Sequence, residues 1–371
     1  VRAGEPVPVL QVIDTLGRGG AERVLITIAN ELDPARFASH VLLTRSAGPL
    51  ASDVAPHVPV MALGRRSRLD LDAIRRFSRV TTRRGIRIVH THAHTAAYFV
   101  RIARPFTAAP FFHVVHDHHG PVEASPVLRA ADRMLLRGVD YYFAVSERLT
   151  EYARRSIGVP ASRSETLLNG VSPASAIGSE KETRFTIVQV ARLVPDKNQM
   201  LAIEAAAVLR ETVPDFQWWL IGRLGSRYAD ECAALVERHG LSRHVTLMGE
   251  RSDARELIAR AHVGVLTSNF EGTPIALLEY MAESLPVVVT DAGDCGAIVR
   301  AAEGGAVTPL RDVRSLVDAL VPYAGSREKS ERDGARNRAF VDARYSTRAM
   351  IARISAVYEE LLASPALGRD R

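Results

Sequence analysis

Two glutamates, Glu271 and Glu279, stand either side of seven residues in the segment FEGTPIALLEYMAESLPVVVTD, which runs from Phe270 to Asp291. Between them the sequence predicts a helix start, with Thr273 as cap and Pro274 at the first helical position before Ile275. A helix N-terminus offers free backbone N–H groups and the positive end of a dipole, so it suits phosphate. Glu279 falls about 7.5 Å of helical rise beyond Pro274. Carboxylates repel phosphate, which makes hydroxyls their natural partners. A ligand with a diphosphate in the middle and hydroxyl-bearing sugars at both ends meets these demands, and a nucleotide sugar is such a ligand. Alone, two glutamates at this spacing also describe an ordinary solvated helix face.

Two cations add to the pattern. Arg192 and Lys197 lie five apart in ARLVPDKN, directly after a predicted strand, where both can meet one diphosphate. Lysine is scarce in this chain, which has only Lys181, Lys197 and Lys329, so its placement here is informative. Gly17-Arg18-Gly19-Gly20 follows the first predicted strand, and Gly19 and Gly20 allow close backbone approach to a ligand at the next helix N-terminus. Surface cations on a loop and a routine glycine turn are the plainer readings of these two features.

In order, Glu271, Gly272, Thr273, Pro274, Glu279, Pro286 and Asp291 resemble the retaining GT-B glycosyltransferases of the family-four group. The resemblance implies that Glu271 lies near the donor sugar and Glu279 on the nucleotide ribose, with Gly272, Thr273, Pro274 and Ile275 in the donor site. It assigns Arg192 and Lys197 to the donor diphosphate and the leaving-group charge. LGRGGAER is similar to the family's Gly-Gly-Ala-Glu segment, which places Gly19 and Gly20 over the donor phosphates and the acceptor. His116 is implied to lie near the donor sugar, and Asn169-Gly170 to mark the junction between domains. The expected activity is retaining transfer of a hexose-type sugar from a nucleotide diphosphate sugar to an acceptor hydroxyl. Cell-surface glycan, glycolipid and glycosylated metabolite synthesis are all possible settings. No cofactor or dedicated metal is expected, and uridine, guanosine and adenosine nucleotides stay open. Three positions depart from the family pattern: Ala191 and Ser284 replace common glycines, and Gly296-Ala297 replaces a Pro-Glu pair. The last departure leaves open a non-catalytic scaffold of the same fold.

A rival signal comes from seven of the twelve histidines, which fall between His90 and His119 in HTHAHT and HVVHDHH. Such a cluster could ligate zinc or iron in a metal-dependent hydrolase. No organised third segment of ligands accompanies it, and the resemblance accounts for an H-x-H segment, so no metal is assigned. Asp70-Leu71-Asp72 is formally a metal-nucleotide DxD, but it opens a helix and reads as a capping pair.

These side chains need a scaffold of repeated strand and helix. Strands are expected at Val9–Ile13, His40–Thr44, Ile86–His90, Phe111–His116 and Tyr141–Ser146. A second series follows at Phe185–Val190, Gln217–Gly222, Val245–Gly249, Val263–Thr267 and Pro286–Thr290. Alternating apolar strands and helices predict an α/β fold of two Rossmann-like domains facing a cleft, with ligands at the carboxyl ends of the strands. The domains are residues 1–172, acceptor-side, and 173–346, nucleotide-sugar-binding. The resemblance implies that a final helix near Thr347–Ala363, within 347–371, returns to the first domain.

Hydrophobic residues make up 47% of the 371, and no apolar run reaches the ~20 residues of a membrane span. Cys232 and Cys295 are the only cysteines, which excludes a disulfide framework. Residues 1–173 hold 23 arginines against 15 acidic residues, and Gly64–Arg87 alone holds nine arginines against Asp70 and Asp72. Leu71, Ile74, Phe77 and Val80 give that stretch an apolar helical stripe. It reads as a solvated helix, or as one that meets an anionic membrane or a phosphate-bearing acceptor. Nucleic acid is not an expected partner. The expected location is cytoplasmic and peripheral on the inner face of the cell membrane.

Overall fold

The computed structural model describes residues 5–17, 19–118, 132–171, 180–271 and 274–364. The chain divides into two compact units, Val1–Gly170 with Thr347–Arg371, and Val171–Ser346.

The first unit is built on a seven-stranded parallel sheet. Its strands are β1 (Val7–Ile13), β2 (Phe37–Leu43), β3 (Val60–Ala62), β4 (Ile88–His92), β5 (Phe112–Asp117), β6 (Tyr141–Ala144) and β7 (Ser164–Thr166), in the order β3-β2-β1-β4-β5-β6-β7. Every residue of β4 and β5 is buried, as in a parallel sheet covered on both faces. Their register aligns His90 with Val114 and His92 with His116. Helix α1 (Gly20–Glu31) buries Ala21, Val24, Leu25 and Ile28, the i, i+3, i+4, i+7 stripe of a helix on a sheet.

Helix α2 (Leu71–Arg83) starts at Asp70, whose carboxylate accepts hydrogen bonds from the backbone N–H groups of Asp72 and Ala73. The expected capping role of this DxD is therefore seen in the structure. The apolar stripe of α2 is shifted from the expected one. Ala73, Ile74, Phe77 and Thr81 are buried, Val80 is half-buried, and Leu71 is 63% exposed. Helices α3 (His94–Ala103) and α4 (Glu147–Tyr152) complete the outer layer described here.

The second unit repeats the plan with β8 (Phe185–Val190), β9 (Phe216–Ile221), β10 (Val245–Gly249), β11 (Val263–Leu266), β12 (Val287–Thr290) and β13 (Gly305–Thr308), ordered β10-β9-β8-β11-β12-β13. Its helices are α5 (Gln199–Thr212), α6 (Arg227–Arg238), α7 (Ala254–Arg260), α8 (Ile275–Ala282), α9 (Cys295–Ala302), α10 (Val313–Gly325) and α11 (Arg327–Arg344). Ile187, Trp218, Leu220, Val265 and Val288 form the sheet side of a core closed by Leu201, Ala205, Leu209, Leu316 and Leu320.

Helix α12 (Thr347–Ala363) belongs to the first unit. Its Tyr358 ring meets Phe37 edge-on at 5.5 Å, and Arg353 pairs with Glu165 at 2.7 Å. A Cβ on Gly170 would lie 2.5 Å from the Thr347 Cα, so a side chain there would force the start of α12 away.

Strands β3, β7 and β13 were not expected from the sequence. Each has only three or four residues, too few for a periodicity to stand out. The fourth strand also runs on to His92, two residues past its expected end.

Candidate functional site

Unit two gathers charged groups beyond the carboxyl ends of β8 and β11, the strands on either side of the point where strand order reverses. In an open α/β sheet this is where ligands bind. After β8 the chain passes Arg192, which is exposed, and then a short 3-10 turn at Pro195–Lys197. Asn198 follows in the left-handed region, φ 47, and turns the chain into α5. After β11, the Thr267 hydroxyl reaches the carbonyls of Lys197 at 3.1 Å and Asn198 at 2.8 Å. The buried Gln189 amide donates to the same hydroxyl at 2.9 Å. Asn269 ties the loops again, its N–H donating to the Asp196 carbonyl at 2.8 Å.

Lys197 is thereby held with its Nζ 2.5 Å from Glu271 Oε2, while the Ser268 hydroxyl donates to Glu271 Oε1 at 2.6 Å. The Glu271 side chain is only 7% exposed, so this is a nearly dry carboxylate with both oxygens satisfied. Its backbone is fixed too. A Cβ on Gly293, φ 56, would sit 1.8 Å from the Glu271 carbonyl oxygen, so only glycine lets the loop after β12 close on it.

Helix α8 starts beside Glu271. Pro274 stands at its N-cap, not at the first helical position expected from the sequence, and makes no side-chain cap hydrogen bond. Ile275 is the first helical residue. Gly272 and Thr273 lie outside the described residues. Glu279 is half-buried, one turn on from Ile275. The helix is anchored through Tyr280, whose ring fills the space a Gly264 Cβ would need, 2.4 Å away. The Tyr280 hydroxyl accepts from the Val190 N–H at 2.6 Å, tying α8 to the end of β8.

The first unit carries a different constellation at its own switch point, between β1 and β4. Gln11, His90, His92 and His116 are fully buried. The Tyr358 hydroxyl lies 2.6 Å from His90 Nδ1 and accepts from Gln11 Nε2 at 3.1 Å. His92 Nε2 is 3.0 Å from Gln11 Oε1, and His92 Nδ1 is 3.1 Å from His118 Nε2. The His90 and His116 rings stack at 5.4 Å with 12° between planes. Burial, reinforced by neighbouring imidazoles, holds His90, His92 and His116 well below the ordinary imidazole pKa. These three are therefore neutral at physiological pH. Between His92 and His94, Ala93 takes φ 67 and ψ 157, a conformation L residues rarely adopt. Gly19 is the extended N-cap of α1 and Gly20 its exposed first residue.

The sequence did not single out Ser268, Thr267, Gln189 or Gly293, because none belongs to a charged pattern. It also weighed the histidines as two separate segments. The register of β4 against β5 is what brings His92 opposite His116.

Two family models match the chain in tandem. The family described as Glycosyltransferase Family 4 matches residues 18–175, and that described as Glycosyl transferases group 1 matches residues 173–339. The chain belongs to the family-four type of GT-B glycosyltransferases.

The chain is 28% identical over 256 residues to the Escherichia coli UDP-Gal:alpha-D-GlcNAc-diphosphoundecaprenol alpha-1,3-galactosyltransferase, over 63% of this chain and 65% of that protein. It is 25% identical to the GDP-mannose-dependent alpha-(1-6)-phosphatidylinositol monomannoside mannosyltransferase of Mycobacterium tuberculosis, over 65% and 67% of the two chains. The match thus spans just under two thirds of the galactosyltransferase's length. A glycosyltransferase structure from Rickettsia africae superposes with a TM-score of 0.82 at 16% identity, covering 97% of this chain and 99% of that one. Anabaena HepE, solved with UDP and glucose, superposes with a TM-score of 0.81 at 21% identity, covering 95% and 100%. At these identities the two structures speak to the fold alone.

In this chain the departure at Gly296-Ala297 has a structural partner. A Cβ on Gly296 would lie 2.0 Å from Asp291 Oδ1 and 2.8 Å from Arg300 Nη1. Asp291 and Arg300 pair at 2.5 Å there, so a proline at 296 would clash with that ion pair. Ser284 sits at φ 57, where glycine is the unstrained choice.

Proposed function

We propose that the chain is a retaining, metal-independent hexosyltransferase that takes a sugar from a nucleotide diphosphate sugar to an acceptor hydroxyl. The observation that carries this is the convergence of Lys197, Glu271, exposed Arg192 and the α8 N-terminus on the carboxyl ends of β8 and β11.

Transfer leaves negative charge on the departing diphosphate. Groups fixed in advance where charge develops supply the largest catalytic gain in such reactions. Lys197 and Arg192 neutralise the diphosphate, and the N–H groups opening α8, from Ile275 onward, complete the anion site. Glu271 takes sugar hydroxyls and Glu279 the ribose hydroxyls. His116, neutral and acceptor-capable, is assigned to the donor sugar, and the Gly19-Gly20 turn to the phosphates. No step calls for a bound metal, because the two cations and the helix end provide the positive charge. Retention is read as same-face attack, with the leaving phosphate taking the acceptor proton. The donors in the relatives' names, UDP-galactose and GDP-mannose, make uridine and guanosine diphosphate sugars the first to test.

The test pairs binding with product. Thermal shift against UDP-, GDP- and ADP-sugars should single out one donor, which at 100 times its Kd adds about 2.7 kcal/mol. NMR of the product then gives the anomeric configuration. A chain stabilised by no nucleotide sugar, or a product of inverted configuration, overturns the reading.

The acceptor is proposed to be membrane-borne and to be met through the start of α2. Leu69 and Leu71 are 67% and 63% exposed, and exposed Arg66, Arg68, Arg75, Arg79 and Arg83 surround them in sequence. Arg66 and Arg75 already pair with Asp70 or Asp72, which leaves Arg68, Arg79 and Arg83 as the better contacts. Each cation near an anionic surface contributes about 1 kcal/mol. No helix among the described residues is long and apolar enough to cross a membrane, so attachment here would be peripheral and reversible. Flotation with anionic liposomes should be lost at high salt and in the Arg68, Arg79, Arg83 triple glutamine variant. Equal flotation of variant and wild type removes the membrane claim.

A further inference from the structure

The histidine cluster of the first unit is not exhausted by a role for His116. Buried polar atoms are paired in native proteins, and each exception asks for an explanation, an unplaced ion or water among them. His116 is fully buried with neither ring nitrogen hydrogen-bonded, and His90 Nε2 is buried and unbonded as well. His90, His92 and His116 can each offer a ring nitrogen to a set lying within 4.8 Å of one another.

We propose that His90, His92 and His116 form a binding site for one transition-metal ion of the zinc, cobalt or copper kind. Imidazole is a common ligand of such ions, and the three rings bring their nitrogens together. A metal-bound histidine donates its other ring N–H to a fixed acceptor, which sets the tautomer. Those acceptors are in place for two of the three. The Tyr358 oxygen faces His90 Nδ1, which leaves His90 Nε2 as the lone pair. Gln11 Oε1 faces His92 Nε2, which leaves His92 Nδ1 as the lone pair, now turned to His118. On metal binding His92 exchanges that contact for the ion, and His116 contributes either nitrogen. Three neutral ligands leave the ion's double charge uncompensated and a coordination position open, so water or a small anion completes the shell.

The site is not a requirement for transfer. Because it consumes the lone pair of His116, occupancy withdraws that residue from the donor sugar, and the metal acts as a reversible inhibitor. This last consequence rests on the proposed role of His116; the binding itself does not.

The full chain, stripped with chelator, is titrated with Co²⁺ and followed by its visible ligand-field bands, then with Zn²⁺ by competition. Wild type should bind one equivalent with tetrahedral-type bands. His116→Ala should abolish the bands. Tyr358→Phe, which keeps all three imidazoles, should weaken binding roughly 10- to 100-fold, as loss of an outer partner does. His239→Ala, outside the cluster, should leave the spectrum unchanged, and circular dichroism checks folding of each variant. Absence of bands in folded wild type, or bands that persist in folded His116→Ala, overturns the site. If Co²⁺ binds as described but transfer is unaffected, the metal site stands and the assignment of His116 to the sugar falls.

Discussion

The two units share a strand order and place a buried glutamine at the same point of it, yet satisfy their switch points in opposite ways. Gln11 of β1 and Gln189 of β8 each precede the strand end where the order reverses. In the first unit Gln11 joins the His92 imidazole and the Tyr358 phenol, both uncharged, and His90 and His92, two apart on β4, share one face. In the second, Gln189 pins Thr267, and through it the loop that carries Lys197 to Glu271. Neutral polar groups tolerate complete burial if hydrogen-bonded, whereas an ion pair needs loops and residual solvent. One topology therefore supports a dry imidazole cluster in one place and a charge-bearing loop site in the other.

The sharpest way to break this contrast is acid. Burial lowers the folded pKa of His90, His92 and His116 well below the ordinary value, and that of His113 to about 3. Unfolded, each titrates near 6.5. A depressed histidine adds stability that is fully present above about pH 6.5 and is lost as pH falls toward the folded pKa, because the unfolded chain then binds more protons. Each such histidine should contribute about 1.4 kcal/mol per pH unit in that window. The lowered carboxylates, Asp70, Asp253, Asp312 and Asp333, act only near and below ordinary carboxylate pKa values, so pH 5 to 6.5, roughly, isolates the histidines. Among the described histidines of the second unit, His262 alone shows a lowered value. Urea unfolding should therefore show a first-unit transition that weakens steeply between these pH values and a second-unit transition that hardly moves. His113→Gln should flatten the first slope by one histidine. Equal slopes for the two transitions would contradict the contrast.

Next in size is the charged side. Lys197→Ala or Arg192→Ala should lower turnover by about 10²-fold, as for loss of one charge-stabilising group. Lys197→Ala also strips Glu271 of its partner and should cost stability, whereas exposed Arg192 should not. Lys197→Ala/Glu271→Ala should regain part of that stability without regaining activity. Recovery of activity in the double variant would mean that the pair is structural only.

Much of this organisation was legible in the sequence. Phe185–Val190 and Val245–Gly249 have the expected ends, because strong apolar patterns and clear punctuation bound them. The loop residues that hold Lys197 and Glu271 were not legible. Thr267 and Ser268 act through hydrogen bonds between segments about 70 residues apart or through a local bend, and neither leaves a periodic trace. The histidine cluster depended on register: extending β4 by two residues sets His92 beside His116. The shift of the α2 stripe onto Ala73 and Thr81 is tertiary too, since Phe77 packs on Phe99 and Phe111 and thereby sets the buried face.

A smaller effect separates ligand binding from charge stabilisation within the second unit. Glu279→Ala should raise the KM for donor by about tenfold or more, from the loss of charged hydrogen bonds worth about 1.5–3 kcal/mol. Turnover at saturation should change less than in Lys197→Ala. Calorimetry with the free nucleotide checks it, and unchanged nucleotide affinity in Glu279→Ala would remove the ribose assignment.

The smallest effect concerns the backbone between α8 and β12. Ser284 ends the helix in the left-handed region at φ 57, which costs a residue with a Cβ about 1–2 kcal/mol. The unfolded chain of a glycine variant is more flexible, which takes back roughly 0.5–1 kcal/mol. Ser284→Gly should therefore stabilise the second unit by about 0.5–1 kcal/mol net. The turn has no room to relax otherwise. A Cβ on Gly334 of α11 would lie 2.0 Å from the Ser284 carbonyl oxygen, and Asn337 donates to the Leu285 carbonyl at 2.7 Å. Since that packing fixes the turn, the gain should appear in the second-unit transition alone and leave the acid-sensitive first transition where it was. A shift in both transitions would show that the two units unfold together, and the comparison of their pH slopes would then have to be made on separately destabilised variants.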